Sequence, residues 1–313
     1  MSVMRSVLLA VSENRWMRER GPRLWFVRRA SRRFMPGESV DDMLRAAGEL
    51  RPRGIDAVFT RLGENVTDAA EAAAVTRHYL EVLDAIASKG TPGTPCEPSI
   101  KLTQLGLDLG ADQAYANLRA LAERSHTTGN YLWIDIEQSS YVDVTLDLTR
   151  RLKAEFPRVG VCLQAYLYRT PDDLKALVDE GIGVRLVKGA YKEPANLAYP
   201  KKADVDAQFF TLAVNMLEGL GRRNGFRPVF GTHDVNLLNR IRAHAERAGL
   251  AARDVEVHML YGIQRGEQER LVREGAVVRV LIAYGAYWFP WYMRRLAERP
   301  ANVWFVVRSM FAG

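Results

Sequence analysis

The chain has 313 residues, of which 48% are hydrophobic and 26% are charged, and its formal net charge is +7. This length fits one large α/β barrel or two ordinary domains, and the composition is that of a globular protein with a sizeable core. No run of about 18 apolar residues occurs, so no membrane-spanning helix is predicted. The apolar stretch within residues 1–10 is too short to predict a secretory signal peptide.

The positive charge is concentrated at the N-terminus. Residues 1–33 contain nine arginines and two glutamates, a balance of +7 that equals the net charge of the whole chain. We therefore predict a basic amphipathic helical arm over residues 1–48 and a separate folded domain over residues 49–313. The arm either packs on that domain with its arginines in water or rests on an anionic membrane surface. Nucleic acid is not expected as a partner, because no nucleic-acid-binding motif accompanies the arm.

After the arm, short runs rich in β-branched and aromatic residues alternate with longer stretches of helical periodicity. The predicted strands are 54–60, 98–102, 131–136, 160–167, 183–187, 227–230, 255–260 and 277–282. The helical stretches between them are 67–88, 112–127, 142–155, 171–179, 204–220, 235–248 and 266–274. Before the first strand, Ser39 and Asp42 have the spacing of a capping box at a helix start. Eight strand–helix units of this size predict a (β/α)8 barrel.

Polar residues occur at the carboxyl ends of six predicted strands in succession. In chain order they are Lys101, Asp135 with Glu137, Gln164 with Tyr166, the segment 188–191, the segment 232–234, and His258 with Tyr261. The carboxyl ends of the strands are where barrels of this type carry their chemistry. One polar strand end is commonplace, but six in succession are not expected of an inert scaffold. The sequence therefore predicts a functional site at this end of the barrel.

The cysteines and histidines argue against a metal site. The two cysteines, Cys96 and Cys162, lack metal-ligand spacing, and we interpret both as reduced thiols in a cytoplasmic protein. The five histidines also lack such spacing, so no metal is predicted. His78 and His244 fall in helical stretches and are expected to face solvent. Of the other histidines, His233 and His258 belong to the predicted site, and His126 is expected in a loop.

A last helix is predicted to follow the eighth strand and to close the mouth of the barrel. Pro290 suits its first turn, and Pro300 ends it. Arg294 and Glu298 stand four residues apart on one face, and Arg295 stands three before Glu298. Two arginines oriented by a carboxylate suit the recognition of an anionic group on a small molecule. The alternative interpretation is a solvated helix face.

Seven segments together resemble the signatures of the proline dehydrogenase family, in the order and on the strands typical of it. They are 99–103, 134–137, 164–166, 185–191, 232–234, 259–262 and 294–302. The resemblance covers roughly residues 35 to 310. It implies a distorted barrel with non-covalently bound FAD that oxidises L-proline to Δ1-pyrroline-5-carboxylate by hydride transfer to the flavin. It also implies a membrane quinone as the electron acceptor, which would give the basic arm a use at the inner face of the cell membrane.

The resemblance also implies the residues that handle the substrate. Arg294 and Arg295 would hold the substrate carboxylate, with Glu298 orienting them. Lys101 would add positive charge nearby, and Asp135 is expected to be either a structural brace or an electrostatic tuner. These five form the expected catalytic group. Tyr191, Leu260 and Leu281 would complete the substrate pocket.

For the flavin, the same resemblance implies a second set of residues. They are Gln164, Arg185, Val187, Lys188, Gly189, Ala190, Thr232, His233, Asp234, His258 and Glu298. Gln164 and Arg185 suit hydrogen bonds near the isoalloxazine, where a cation stabilises the anionic reduced flavin. Lys188 and Gly189 suit the pyrophosphate, through charge and close backbone approach.

Three positions depart from the family pattern. Leu281 stands where the family usually carries a tyrosine whose ring packs on the proline ring, so a flat contact is lost. His258 stands where a glutamine often contacts the flavin, and Trp291 stands at a position that is often tyrosine. We hypothesise a proline-type flavin dehydrogenase with a shifted preference. The alternatives are a dehydrogenase of a related cyclic amino acid such as hydroxyproline, a catalytically impaired barrel that acts as a binding protein, and another flavin barrel such as a methylenetetrahydrofolate reductase.

Overall fold

The computed structural model describes residues 31–89, 96–222, 224–289 and 292–293. In this part of the chain, eight parallel strands form a closed barrel, in which each strand pairs with the next and β8 pairs with β1. The strands are β1 (Asp56–Arg61), β2 (Cys96–Lys101), β3 (Leu132–Asp135), β4 (Val159–Gln164), β5 (Gly183–Val187), β6 (Pro228–Gly231), β7 (Glu256–Leu260) and β8 (Val277–Tyr284). The predicted (β/α)8 barrel is confirmed.

Within the described residues, a helix over Val40–Leu50 precedes β1, and a helix follows each of the strands β1 to β7. They are α1 (Val40–Leu50), α2 (Ala69–Lys89), α3 (Ala111–Thr127), α4 (Val142–Glu155), α5 (Thr170–Asp179), α6 (Lys202–Gly219), α7 (Val235–Arg247) and α8 (Arg265–Arg273). The bounds of α4 and β5 are those predicted, whereas β4 ends earlier than predicted. It ends at Gln164 because the chain turns there: the Leu167 amide and the Thr170 hydroxyl both donate to the Gln164 carbonyl, at 3.2 and 2.6 Å.

The α1 helix begins at the predicted capping box. The Asp42 amide donates to Ser39 Oγ at 3.1 Å, and the Ser39 amide donates to the Asp42 carboxylate at 3.3 Å. The helix buries Met43, Ala46 and Leu50 and packs on the outer face of β8 and β1. It therefore covers the seam that the helix after β8 covers in a regular barrel.

The predicted domain boundary at residue 48 falls inside α1, and the division into arm and barrel stays a prediction. Residues 1–30, which make up most of the predicted arm, lie outside the described residues, as does the predicted closing helix from Arg294 onwards. None of the helices in the described ranges is long and apolar enough to cross a membrane.

Outward-facing strand residues form the main core with the helices, and the barrel interior is partly charged. At the amino-terminal end of the interior, Arg227 contacts Glu97 at 3.0 Å and Glu256 at 2.6 Å. Arg279 contacts Glu256 at 2.8 Å and Asp56 at 3.1 Å. Buried charges are tolerated when they are paired and hydrogen-bonded, as they are here. We call these five side chains the ionic floor. Because the ionic floor fills the amino-terminal end of the barrel interior, a ligand site is expected at the carboxyl end.

Candidate active site

The predicted residues at the ends of β2 and β3 lie side by side. Lys101 and Asp135 are register partners on these neighbouring parallel strands. Lys101 Nζ lies 2.8 Å from the carboxylate of Glu64, which belongs to the loop between β1 and α2. The Lys101 side chain is 20% exposed, so its charge is accessible at the mouth of the barrel. The contribution of Glu64 was not predicted, because an irregular loop carries no periodic signal that would mark it.

Arg185, on β5, reaches across the barrel interior to Asp135. Its Nη2 forms an ion pair with Asp135 Oδ1 and donates to Ser99 Oγ at 2.6 Å. Its Nε lies 2.9 Å from Cys162 Sγ. Only 6% of the Arg185 side chain is exposed, so this cation lies deeper than Lys101. The structure thus unites two predicted residues, Asp135 and Arg185, with two that were not assigned a role.

Gln164 closes the end of β4. Its Nε2 donates to the Glu137 carbonyl at 3.2 Å, and Glu137 itself accepts from the Thr103 amide and hydroxyl at 3.1 and 2.6 Å. Burial raises the pKa of Glu137 above its usual value. Gln164 Oε1 is buried and accepts no hydrogen bond from the residues that the structure describes. A buried acceptor without a donor is costly, so this atom marks a place where a ligand donor would be stabilising.

Four charged side chains form a cluster where β5 and β6 end. Lys188 Nζ lies 2.5 Å from Asp206, on α6, and 2.8 Å from Asp234, at the start of α7. Lys202 also forms an ion pair with Asp206. Burial is the largest single influence on both aspartates and acts to raise their pKa values, but the hydrogen bonds that they accept and the positive charges of Lys188 and Lys202 together outweigh it and lower them. Among the described residues, Lys188 uses two of its three N–H donors, which leaves one for a ligand.

Hydrogen bonds to neighbouring elements hold the segment 232–234 in place. The Asp234 amide donates to Thr232 Oγ1 at 3.1 Å, and Asp234 Oδ1 caps α7 by accepting from the Leu237 amide at 3.2 Å. His233 Nε2 accepts from the Leu260 amide at 3.1 Å, which ties the end of β6 to the end of β7. These predicted residues therefore lie together at the carboxyl end of the barrel.

Gly189 is required where it stands. Its φ of +119° is in the region that favours glycine, and a Cβ there would lie 2.5 Å from the ring of Tyr166. Val187 before it is half-buried, Ala190 after it is exposed, and Tyr191 is half-buried. The packing of the Tyr166 ring therefore requires a glycine here, and close approach of a cofactor at Gly189 stays a prediction.

Leu260 and Leu281 form an apolar wall. They are register partners on β7 and β8, and both are half-buried. Leu281 packs on Val58, Trp133 and Val229 inside the barrel. These two predicted pocket residues are therefore brought together.

Tyr284 does not replace the tyrosine that the family pattern leads one to expect at position 281. It lies three residues beyond Leu281 and so points to the opposite face of β8. Its hydroxyl is 2.9 Å from Nε2 of His78, on α2. The expectation that His78 faces solvent is therefore wrong, because the ring is half-buried against Tyr284.

His258 is buried inside the barrel, as Gln164 and Arg185 are. It is 5% exposed, its Nε2 is 2.9 Å from the Glu256 carboxylate, and its ring meets the edge of Trp133 with centroids 5.6 Å apart. Burial lowers the pKa of His258 to about 3, so the imidazole is neutral at physiological pH. It connects the ionic floor to the middle of the barrel, and its cofactor contact stays a prediction.

Arg294, Arg295 and Glu298 lie outside the described residues. The segment that leads to them packs against the chain before α1. Trp288 Nε1 donates to Glu38 at 3.0 Å, and the rings of Tyr292 and Phe34 are 6.0 Å apart. That contact places the chain before α1 beside the start of the predicted closing helix.

The sequence comparison finds proline dehydrogenases, and the structural comparison finds proline utilization A proteins. A family model described as proline dehydrogenase matches residues 43–308. The chain is 34% identical to proline dehydrogenase 1 of Bacillus subtilis subsp. natto over 308 residues. The aligned region covers 98% of this chain and 99% of that protein. It is 35% identical over 286 residues to the proline dehydrogenase of Deinococcus radiodurans, covering 90% of each.

Among solved structures, the fold is similar to proline utilization A (PutA) from Bdellovibrio bacteriovorus inactivated by N-propargylglycine. The TM-score is 0.80 at 25% identity, over 92% of this chain and 34% of that one. The barrel seen here therefore corresponds to about a third of that longer protein.

Proposed function

This chain belongs to the proline dehydrogenase family, and we propose from that premise that it oxidises L-proline to Δ1-pyrroline-5-carboxylate with non-covalently bound FAD. The observation that carries the proposal is the convergence of Lys101, Asp135 and Arg185 at the carboxyl end of one barrel. Two cations and a carboxylate so placed suit an anionic amino acid and a redox cofactor whose charge changes during reaction.

The described residues fit FAD in three respects. The unpaired Gln164 Oε1 suits a ring N–H of the isoalloxazine. The remaining N–H donor of Lys188 suits the pyrophosphate, and Gly189 allows close backbone approach next to it. The cluster of Lys188 and Lys202 with Asp206 and Asp234 has no net charge, so we expect it to orient a pyrophosphate by hydrogen bonds more than by bulk charge.

The reaction removes one hydride, which carries both electrons, and one proton from the substrate. FAD, when bound, would supply the hydride acceptor; the hydride would leave the ring CH2 next to the nitrogen, and the nitrogen would give up the proton to water as the C=N bond forms. Lys101 attracts the substrate carboxylate, and by family resemblance Arg294 and Arg295 hold it, oriented by Glu298. Leu260 and Leu281 exclude water from the ring methylenes. Tyr191 completes the pocket in this proposal.

We further propose a quinone as the electron acceptor of this cytoplasmic protein. The basic arm, residues 1–48, would contact the anionic inner face of the cell membrane through its charged segment, residues 1–33. The +7 balance of that segment supports the proposal, because each basic residue near such a surface is worth about 1 kcal/mol. Binding of the full-length protein to anionic vesicles, compared with neutral ones and at raised salt, tests the contact. Equal binding to both vesicle types would contradict it.

Turnover with product identification tests the reaction. The protein, supplied with FAD, L-proline and a soluble quinone, is expected to form Δ1-pyrroline-5-carboxylate, identified by mass spectrometry, in proportion to the quinone reduced. D-proline is the matched control. It has the same functional groups as L-proline, but its opposite configuration prevents the carboxylate and the ring from occupying their positions in the site together, so no product is expected. A protein that binds FAD but forms no product from L-proline would contradict the proposed reaction.

One observation favours a related substrate. Leu281 replaces a flat ring by a flexible aliphatic side chain, which leaves room for a substituent on the substrate ring. The second candidate is therefore oxidation of a substituted cyclic amino acid such as hydroxyproline. Comparison of kcat/KM for L-proline and trans-4-hydroxy-L-proline decides between the two: a higher value for hydroxyproline would favour the second.

A further inference from the structure

Two neutral side chains connect the Arg185–Asp135 ion pair. Ser99 Oγ donates to Asp135 Oδ1 at 2.7 Å and accepts from Arg185 Nη2 at 2.6 Å. The Cys162 thiol donates to the same Asp135 oxygen at 3.4 Å, and its sulfur accepts from Arg185 Nε at 2.9 Å. Each of the two residues therefore contacts both the cation and the anion. We call these four residues the bracket.

The bracket has a geometric reason to exist. Arg185 meets Asp135 through a single nitrogen and a single oxygen, which is not the two-point contact that fixes a guanidinium plane. A one-point contact allows the plane to rotate. The hydrogen bonds that Nε donates to Cys162 and Nη2 donates to Ser99 remove that freedom. Nη1 of Arg185 donates to none of the residues in the described segments, so its two N–H donors are left over.

The bracket is built by four consecutive strands. Ser99 comes from β2, Asp135 from β3, Cys162 from β4 and Arg185 from β5, with Cys162 and Arg185 in direct register. Ser99 is fully buried and Cys162 is 4% exposed, so water does not compete for these bonds. In such surroundings, the direction in which a charge points has a larger electrostatic effect than at the surface.

We propose that Ser99 and Cys162 are positioning residues that hold the Arg185 guanidinium in one orientation and so set how strongly the site favours reduced over oxidised flavin. The inference rests on the proposed function, since it needs a flavin near Arg185. A fixed cation stabilises the extra electron density of the reduced ring. A guanidinium that has lost Ser99 or Cys162 is oriented only by Asp135, by the remaining one of these two residues and by the Trp133 ring, whose centroid is 5.3 Å from the guanidinium carbon.

The chemical state of Cys162 supports its place in the bracket. Burial raises the pKa of Cys162 to about 12, so it remains a thiol. A thiol can donate to Asp135 while it accepts from Arg185, which a thiolate cannot do. A serine would offer the same two functions, with shorter bonds.

The experiment compares the two-electron reduction potential of bound FAD in the full-length protein and its variants. Ser99→Ala and Cys162→Ala each remove one arm of the bracket. We expect each to weaken the preference for reduced flavin by about tenfold, which corresponds to a potential about 30 mV more negative. Cys162→Ser keeps a donor and an acceptor, so its potential is expected to stay close to that of the wild type.

Cys96→Ala is the matched control. Cys96 is also 4% exposed and its pKa is also raised by burial to about 12, but none of its described contacts is with the bracket. It reports the cost of removing a buried sulfur without touching Arg185. It is expected to lower the free energy of unfolding while leaving the potential unchanged.

The outcomes separate this inference from the proposed function. If the wild type binds FAD and is reduced by L-proline, but Ser99→Ala and Cys162→Ala change the equilibrium by less than about twofold, the bracket does not position the cation and only this inference fails. The two alanine variants are independent, so either one that folds decides the matter. A wild type without flavin binding overturns the proposed function, and this inference with it.

Discussion

Arg185 and Asp135 form an ion pair inside the barrel in which 6% of the arginine side chain and 19% of the aspartate side chain are exposed. A buried cation that loses its anion is strongly destabilising, because desolvation is no longer offset. The pair therefore has a structural role in addition to its place in the site. The ion pair supports the interpretation of Asp135 as a structural brace, and its effect on a bound flavin stays a prediction.

Asp135→Ala is expected to lower the free energy of unfolding by about 3 kcal/mol, because Arg185 stays buried with only neutral partners. Urea denaturation of the flavin-free protein measures this without interference from the cofactor. The control is Asp112→Ala: the Asp112 side chain is 98% exposed and 3.7 Å from Arg151, so its loss is expected to be near neutral. Equal effects of the two substitutions would contradict a buried, essential pair.

Lys101→Met is expected to lower kcat/KM for L-proline by about 10- to 100-fold. A charged hydrogen bond to the substrate carboxylate is worth about 1.5–3 kcal/mol, and methionine keeps the length of the side chain but not its charge. Lys175→Met, on the exposed face of α5, removes the same charge away from the site and serves as the control. Unchanged kcat/KM in Lys101→Met would exclude a substrate contact for Lys101.

Leu281→Tyr is expected to raise kcat/KM for L-proline and to lower it for trans-4-hydroxy-L-proline, because the ring restores a flat contact and fills the space beside Leu260. Steady-state kinetics with both substrates measure the ratio. Leu281→Met, which nearly conserves volume, is expected to change little. If Leu281→Tyr leaves the ratio as in the wild type, Leu281 does not set the substrate preference.

Gly189→Ala is expected to destabilise the protein by about 1–3 kcal/mol and to weaken FAD binding. The new Cβ requires a left-handed φ and meets the Tyr166 ring. Thermal unfolding and FAD titration by fluorescence measure the two effects. Gly221→Ala, where a Cβ meets nothing within 4 Å, is the control. Similar FAD affinity in both variants would argue against close approach of the cofactor at Gly189.

Burial of His258 is expected to lower the free energy of unfolding of the protein in mild acid. Its pKa falls from the usual 6.5 to about 3 on burial, so the folded protein resists the proton that the unfolded chain accepts. The associated stability is complete above pH 6.5 and is lost progressively as the pH falls towards 3. Between pH 7 and pH 5, the loss is about 2 kcal/mol.

The groups facing His258 belong to the same account. Glu256 accepts its hydrogen bond, and Arg185 and Arg227 oppose its protonation. His258→Gln keeps a donor for Glu256 but cannot be protonated. The difference in the free energy of unfolding between pH 7 and pH 5, measured by urea denaturation, is therefore expected to become about 2 kcal/mol smaller. The exposed His126, replaced by Gln, is the control. An unchanged difference in His258→Gln would assign the acid sensitivity to other groups.

The barrel was predictable from the sequence because its signal is local. Strand and helix periodicities alternate eight times, and the polar residues at the strand ends must converge once the sheet closes. That rule, together with the family resemblance, predicted four residues of the candidate site: Lys101, Asp135, Gln164 and Lys188.

The partners of these residues were not predictable in the same way. Glu64 lies in a loop without periodicity, and Asp206 reaches Lys188 only through the position of α6. His78 looked solvent-facing on its helix, because the Tyr284 hydroxyl that binds it lies on β8, far along the chain. Such contacts depend on how the elements pack, which neither periodicity nor a motif specifies.

The visible spectrum of the purified, FAD-loaded protein under anaerobic conditions, before and after L-proline is added, tests the central claim most directly. The account predicts a flavin band that bleaches with L-proline and stays with D-proline. That result would establish the cofactor, the substrate and the direction of electron flow in one measurement. A flavin band that persists at saturating L-proline, or a protein that takes up no FAD, would contradict it.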